Sequence, residues 1–390
     1  MTYAGSLEIY DADSHIMELP DFLTNYLEGG LQDRFGTIDL AQMPPMRESI
    51  DEIVARGHKH SPEHVAEILE LGDGLLRGPR NYDSVGAFNS HERGQVMDIL
   101  GFKKQLVFGS IGALPALMPG EDIDAQYGIA HAFNLALSDF VRGDARLMGV
   151  GVVPLDDPAR AIRELDFLLR QPGLTSVMGP HRHCGGRAPG HDEYDPFWAR
   201  LEEARVPFTL HVGGDLIQVD SVWMTTGRPT PTDWFGGAEN VRGKDIIVLN
   251  HAPELFLAAM IMDGVFERFP RLTGAVVELG AGWVPAFVTK MDWAVHNWKK
   301  TEPELAKLSR KPSEIISSQL AFTPFVFEDV GALMRQSNPE LYLFSSDYPH
   351  AEGGRNPIGR FSETLKEVSD PDRQKFYSEN FKRVFPLAAA

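Results

Sequence analysis

An acidic residue at the end of a buried strand constrains this chain more than any other feature. Leu341-Tyr342-Leu343-Phe344 is an apolar run that reads as a short buried strand, and Ser345-Ser346-Asp347-Tyr348-Pro349-His350 follows it. Pro349 ends the strand. A carboxylate there costs free energy unless a metal ion or a proton transfer uses it. The N-terminal region poses the same problem, because Leu7-Glu8-Ile9-Tyr10 runs into Asp11-Ala12-Asp13-Ser14-His15. Side chains alternate along a strand, so Asp13 and His15 face one side and can share a cation. A third apolar run, Val206-Pro207-Phe208-Thr209-Leu210, closes on His211.

Asp13, His15, His211 and Asp347 lie far apart in sequence. In a single parallel barrel all four would converge at the C-terminal mouth of the strands, where such barrels hold their active sites. Two imidazoles and two carboxylates suit one divalent metal ion, or two, of zinc, iron or manganese.

The remaining apolar runs supply the other strands. Residues 104–109, 147–154, 174–178, 206–210, 272–278, 319–322 and 341–345 are expected strands, with helices at about 124–142, from about 253, and at about 327–336. With the strand entering Asp13, eight strands alternate with helices, the count of an α/β fold of the (β/α)8 TIM-barrel type. We expect one barrel domain over 1–390, with insertions at 16–103 and 213–250. Both leave strand C-termini, so both would overhang the mouth as lids or walls. The second carries Trp223 and Trp234.

These motifs resemble those of a known family. DADSH, the strand-end His211, GVFERFPRL (264–272), Gly280-x-Gly282-Trp283-x-Pro285 and SSDYPH are similar to those of the amidohydrolase superfamily. The nearest branch is the one named for aminocarboxymuconate semialdehyde decarboxylase. The resemblance implies a distorted (β/α)8 barrel with metal at its mouth, and Asp13, His15, His211 and Asp347 as ligands. It also implies that Asp347 accepts the proton of attacking water. Two positions depart from the branch pattern. Its first strand usually reads His-x-His, whereas this chain has Asp13-x-His15, similar to the acid-x-His of aromatic-acid decarboxylases. A proton-transferring histidine usually precedes the Gly-rich turn after strand six, and here Glu278 stands nearest.

Further candidates surround this set. Glu278 ends an apolar strand and can serve as ligand or general base, or form a salt bridge. His251 follows the apolar run 246–250 and can polarise a carbonyl or act as a base, or simply begin a helix. Arg182 matches a substrate carboxylate, while Trp283 and His350 can line the pocket. His181-Arg182-His183 is a second His-x-His, but Pro180 and Gly185-Gly186 mark it as loop. Glu18 reads as a turn cap, and His58 and His60 as solvent-facing.

The first expectation for function is a metal-dependent hydrolase of a small amide, ester or thioester. The second is a non-oxidative decarboxylase of a small aromatic or unsaturated carboxylic acid. The third is a metal-poor binding protein on the same barrel. The net charge of −18 argues against nucleic-acid and anionic-membrane partners. The chain has one cysteine, Cys184, and no uncharged apolar run near the ~20 residues of a membrane span, so a cytoplasmic enzyme is expected. The partners expected are a small carbonyl or carboxylate substrate and further copies of the chain.

Overall fold

A computed structural model describes residues 2–40, 46–214, 221–229 and 242–390. Its strands are β1 (Tyr10–Asp11), β2 (His15–Ile16), β3 (Lys104–Gly109), β4 (Leu147–Val152), β5 (Leu174–Met178), β6 (Phe208–His211), β7 (Gly274–Val277) and β8 (Leu320–Phe322). All the pairings are parallel, in the order β1-β3-β4-β5-β6-β7-β8, and β2 continues along β3 beyond β1. Helices separate the strands, among them Ile123–Val141, Pro158–Leu168, Asp195–Ala204, His251–Met262 and Val284–Trp298. Parallel strands require such crossovers, and their near-continuous apolar sequences follow from burial on both faces.

The expected eighth strand, 341–345, lies where the sheet needs it but forms no continuous ladder. Its backbone bonds reach both edges instead. The Leu343 N–H donates to Phe322 O at 3.0 Å and the Ala12 N–H donates to Phe344 O at 3.0 Å. The Asp347 N–H donates to Asp13 O at 2.9 Å, and that of His15 to Tyr348 O at 2.8 Å. Two groups draw this segment out of a regular ladder. The Phe344 N–H goes to Phe376 O, and the Ser346 N–H goes to the Asp11 carboxylate at 2.8 Å. The sheet thus curls until its edges meet across 342–348, consistent with a TIM barrel.

Helix and sheet approach closely where β4 carries glycine. A Cβ at Gly151 would stand 2.4 Å from a Leu168 methyl and 2.8 Å from Asn134 Oδ1, so only glycine admits those helices. Leu137, Leu165 and Leu168 are fully buried against the sheet. Each is worth about 1.5–3 kcal/mol of transfer free energy, an upper figure.

The first insertion is a small helical layer with its own apolar cluster of Met17, Leu19, Ile50, Ile53, Tyr82, Ala87 and Phe88. His60 pins it, contrary to the expectation that it faces solvent. The ring is buried, with Nδ1 2.7 Å from Glu92 Oε2 and Nε2 2.8 Å from Tyr82 O. His58 is exposed and pairs with Asp21 at 2.9 Å. In the second insertion Trp223 is exposed, and Trp234 lies outside the described residues. One helical stretch, Gly243–Met262, has the length and mean hydropathy (1.4) of a membrane span. Phe256, Leu257, Met260 and Ile261 from it are buried in the main core, whereas Ile246, Ile247 and Leu255 are exposed.

Candidate metal centre

The strand ends bring five of the expected residues together. His15 opens β2, His211 ends β6 and Glu278 follows β7, while Asp13 and Asp347 are bridged by the backbone bond that joins their segments. His15 Nε2 lies 3.3 Å from Asp13 Oδ1, 3.5 Å from Asp347 Oδ1 and 3.7 Å from Glu278 Oε2. His211 Nε2 lies 3.4 Å from Asp13 Oδ1 and 3.3 Å from Glu278 Oε2. Ligand atoms about 2.0–2.2 Å from a tetrahedral ion stand about 3.3–3.6 Å from one another. Four of these five spacings fall in that range, and the His15–Glu278 distance of 3.7 Å lies just beyond it.

Backbone carbonyls choose the imidazole tautomers. His15 Nδ1 is 3.2 Å from Gly109 O and His211 Nδ1 is 2.9 Å from Val212 O. A carbonyl only accepts, so each Nδ1 carries the proton and each Nε2 turns a lone pair toward the carboxylates. Burial, with His350 adding to it, pushes the His15 pKa down to about 3, which keeps the ring in its ligating form. Asp13 is buried too, which alone would raise its pKa, but the adjoining imidazoles of His15 and His211 hold it below the carboxylate range. Burial pushes Asp347 up to about 7 against the opposing pull of His350. His15 Nε2 and Asp347 Oδ1 are buried without a hydrogen bond. Convergent carboxylates, neutral imidazoles and such atoms together fit a divalent cation.

Two groupings share His15 and Glu278. One adds Asp13 and His211, the other Asp347 and His350. Glu278 and Asp347 both have left-handed backbones, with φ of 55° and 53°. Such residues store roughly 1–3 kcal/mol each and persist only where the surroundings enforce them. The Glu278 N–H is held by Thr323 Oγ1 at 2.9 Å.

The other expected residues fall at different distances from this centre. His350 is buried, with Nδ1 3.2 Å from Asp347 Oδ1, Nε2 2.9 Å from Ser110 Oγ, and its ring stacked on His15 at 4.0 Å. Trp283 donates to Gly280 O and packs its ring against Phe322 at the end of β8. Arg182 directs its fork at Asp156, with bonds of 3.1 and 2.8 Å. His251 is exposed on the first turn of its helix. His181 is buried and His183 exposed, so the second His-x-His does not present both rings to one side. Glu18 does cap a turn, accepting the N–H groups of Ser110, Ile111 and Gly112 at 3.0–3.2 Å.

One residue escaped the sequence reading. Arg80, from the first insertion, has Nε and Nη1 buried without hydrogen-bond partners, while Nη2 donates to Gly354 O. Burial lowers its pKa, and the nearby Tyr348 and Asp347 oppose that shift. No periodic pattern or motif marks an arginine in an irregular insertion, so only the fold reveals it.

Residues 110–387 match the amidohydrolase family. The chain belongs to that family. The match bears out the amidohydrolase superfamily expected from the DADSH and SSDYPH motifs, and the relatives that follow bear out its decarboxylase branch. Among its relatives, a gamma-resorcylate decarboxylase of Rhizobium radiobacter is 25% identical over 302 residues, covering 75% of this chain and 86% of that protein. Among solved structures, an amidohydrolase from Mycobacterium avium subsp. paratuberculosis K-10 aligns over 97% of this chain and 99% of its own, with 25% identity and a TM-score of 0.74. A 5-carboxyvanillate decarboxylase from Novosphingobium aromaticivorans, complexed with manganese and 4-hydroxy-3-methoxy-5-nitrobenzoic acid, shares the fold at 17% identity. Its TM-score is 0.62, over 98% of this chain and 96% of that one.

Proposed function

We propose that this amidohydrolase is a metal-dependent, non-oxidative decarboxylase of a small aromatic carboxylic acid. The observation that carries the reading is Arg80, a largely buried guanidinium with two nitrogens lacking hydrogen bonds, near the carboxylate Asp347. A buried unpaired cation is costly unless an anion joins it, and a planar fork matches a carboxylate. The likeness to gamma-resorcylate decarboxylase supports the same substrate class.

Asp13, His15, His211 and Glu278, with Asp347 beside them, would hold the ion. When bound, it supplies Lewis-acid attraction for the acid and a neighbouring hydroxyl; the manganese-bound relative supports manganese as that ion. Arg80 would orient the carboxylate. Asp347 Oδ1, with His350 Nδ1 at 3.2 Å, would deliver a proton to the ring carbon that bears it. The carbon–carbon bond then breaks, its electron pair returns to the ring, and CO2 leaves. Arg182, tied to Asp156, and His251, exposed on its helix, take no part in this scheme. The single cysteine supports a reducing, cytoplasmic setting.

One observation favours hydrolysis as a second reading. Glu278 stands where the branch usually has histidine, and a carboxylate 3.3 Å from His211 is placed to act as a base on water. Product analysis separates the two. The manganese-loaded protein is expected to release CO2 from ortho-hydroxybenzoic acids. Cleavage of ester or amide analogues to new carboxylates, with no CO2 from any acid, would establish hydrolysis instead.

A further inference from the structure

Beneath the metal centre runs a buried polar chain that reaches both of its halves. Arg93, on the Ser90–Leu100 helix of the first insertion, is fully buried. Its Nη2 donates to the backbone carbonyl of His15, its Nε to Gly86 O at 2.6 Å, and its Nη1 to Gln105 Oε1 at 2.9 Å. Its guanidinium carbon also sits 5.0 Å from the ring centroid of Tyr348, the neighbour of Asp347. Gln105, on β3, passes the chain on by donating Nε2 to Asp11 Oδ2 at 2.8 Å. Asp11 then takes both hydrogen-bonding groups of Ser346, the N–H at 2.8 Å and the Oγ–H at 2.6 Å. One end of the network therefore holds the carbonyl of a ligand from the first strand. The other holds the residue before Asp347, whose backbone has φ of 53°.

Resting on the metal-centre reading, we infer that Arg93, Gln105 and Asp11 are positioning residues that set the separation between the Asp13–His15 pair and Asp347. The neutral amide of Gln105 lets a buried cation and a buried carboxylate offset each other without touching. Its Oε1 accepts from Arg93 and its Nε2 donates to Asp11, so the spacing is fixed by bonded geometry rather than by packing. Apolar residues of similar size would fill this layer without specifying that distance. Through Arg93, the polar chain also gives the first insertion a part in building the centre.

Manganese binding tests this without reference to turnover. Chelator-stripped wild type, Gln105→Met and Ser346→Ala are titrated with Mn2+, and each apoprotein is melted. Gln105→Met breaks the link and keeps volume, while Ser346→Ala removes one bond to Asp11 and the acceptor of the Tyr348 N–H. Both variants are expected to bind Mn2+ about 10- to 100-fold more weakly, the usual effect of losing a group that orients a ligand. Should Gln105→Met fail to fold, Ser346→Ala decides. Mn2+ affinity unchanged from wild type in the folded variants, whatever their melting temperatures, would assign the network to stability alone and overturn the inference. Wild type that binds no Mn2+ would instead overturn the metal-centre reading, and the inference with it.

Discussion

His211 Nε2 stands 3.3 Å from Glu278 Oε2. The two come from the ends of neighbouring strands, β6 and β7, whose register pairs His211 with Val277. Glu278 then turns into a left-handed backbone. With a metal bound, this glutamate would complete a donor set with Asp13, His15 and His211. Without a cation it adds a carboxylate to a centre that already holds Asp13 and Asp347.

Glu278→Gln separates those contributions. We expect metal content after dialysis to fall and Mn2+ affinity to drop at least about 10-fold, since an amide oxygen is a weaker ligand than a carboxylate. The apoprotein should melt at or above the wild-type temperature, because one like charge leaves a buried cluster. Full metal content with turnover reduced by ~10²–10⁴-fold would make Glu278 an acid–base group instead.

Asp347→Asn keeps the shape of the side chain and removes both its charge and its proton. Turnover should fall by at least ~10²-fold with the far-ultraviolet circular dichroism unchanged. Near-normal activity would remove Asp347 from the chemistry.

Arg80→Met should weaken binding of an aromatic carboxylate inhibitor by about 10- to 100-fold, the value of a hydrogen bond to a charged group. Arg80→Lys should restore little, because an ammonium cannot reproduce the two-pronged geometry. Inhibition constants measured for both variants check this. Equal inhibition of wild type and Arg80→Met would place the substrate carboxylate elsewhere.

How far these residues were legible depended on where they sit. Asp13, His15, His211 and Asp347 stood out because each is a polar group at the end of an apolar run, where burial demands a reason. Glu278 was visible by the same argument. Arg80 and Arg93 were not, because insertion residues reach the barrel through long-range contacts that no local period records. His60 was misjudged for the same reason, since its partners Glu92 and Tyr82 come from later in the insertion. His251 could act on a carbonyl or simply begin a helix, and it begins the helix His251–Met262 with its side chain exposed. Hydrolysis and decarboxylation were not distinguishable from the ligands, because both use the same donors.

A pH-dependent contribution lies away from the centre. His131 Nδ1 is 3.2 Å from Glu164 Oε2, and its ring packs on Phe167. The bond to Glu164 raises the His131 pKa, with partial burial opposing it. A raised folded pKa makes the pair stabilising below the unfolded value of about 6.5 and removes that stabilisation as pH rises through the folded value. His131→Gln should therefore lower the melting temperature more at pH 5.5 than at pH 8.5. An equal loss at both would limit His131 to packing.

We propose that the strand-end cluster is a divalent-metal centre. Titration of chelator-stripped protein with Mn2+, read by calorimetry on wild type and on His211→Ala in parallel, tests it most directly. Saturable binding of one ion, or two, per wild-type chain is expected, with a marked loss of affinity in His211→Ala. No binding by the folded wild type, or identical isotherms for both proteins, would contradict it.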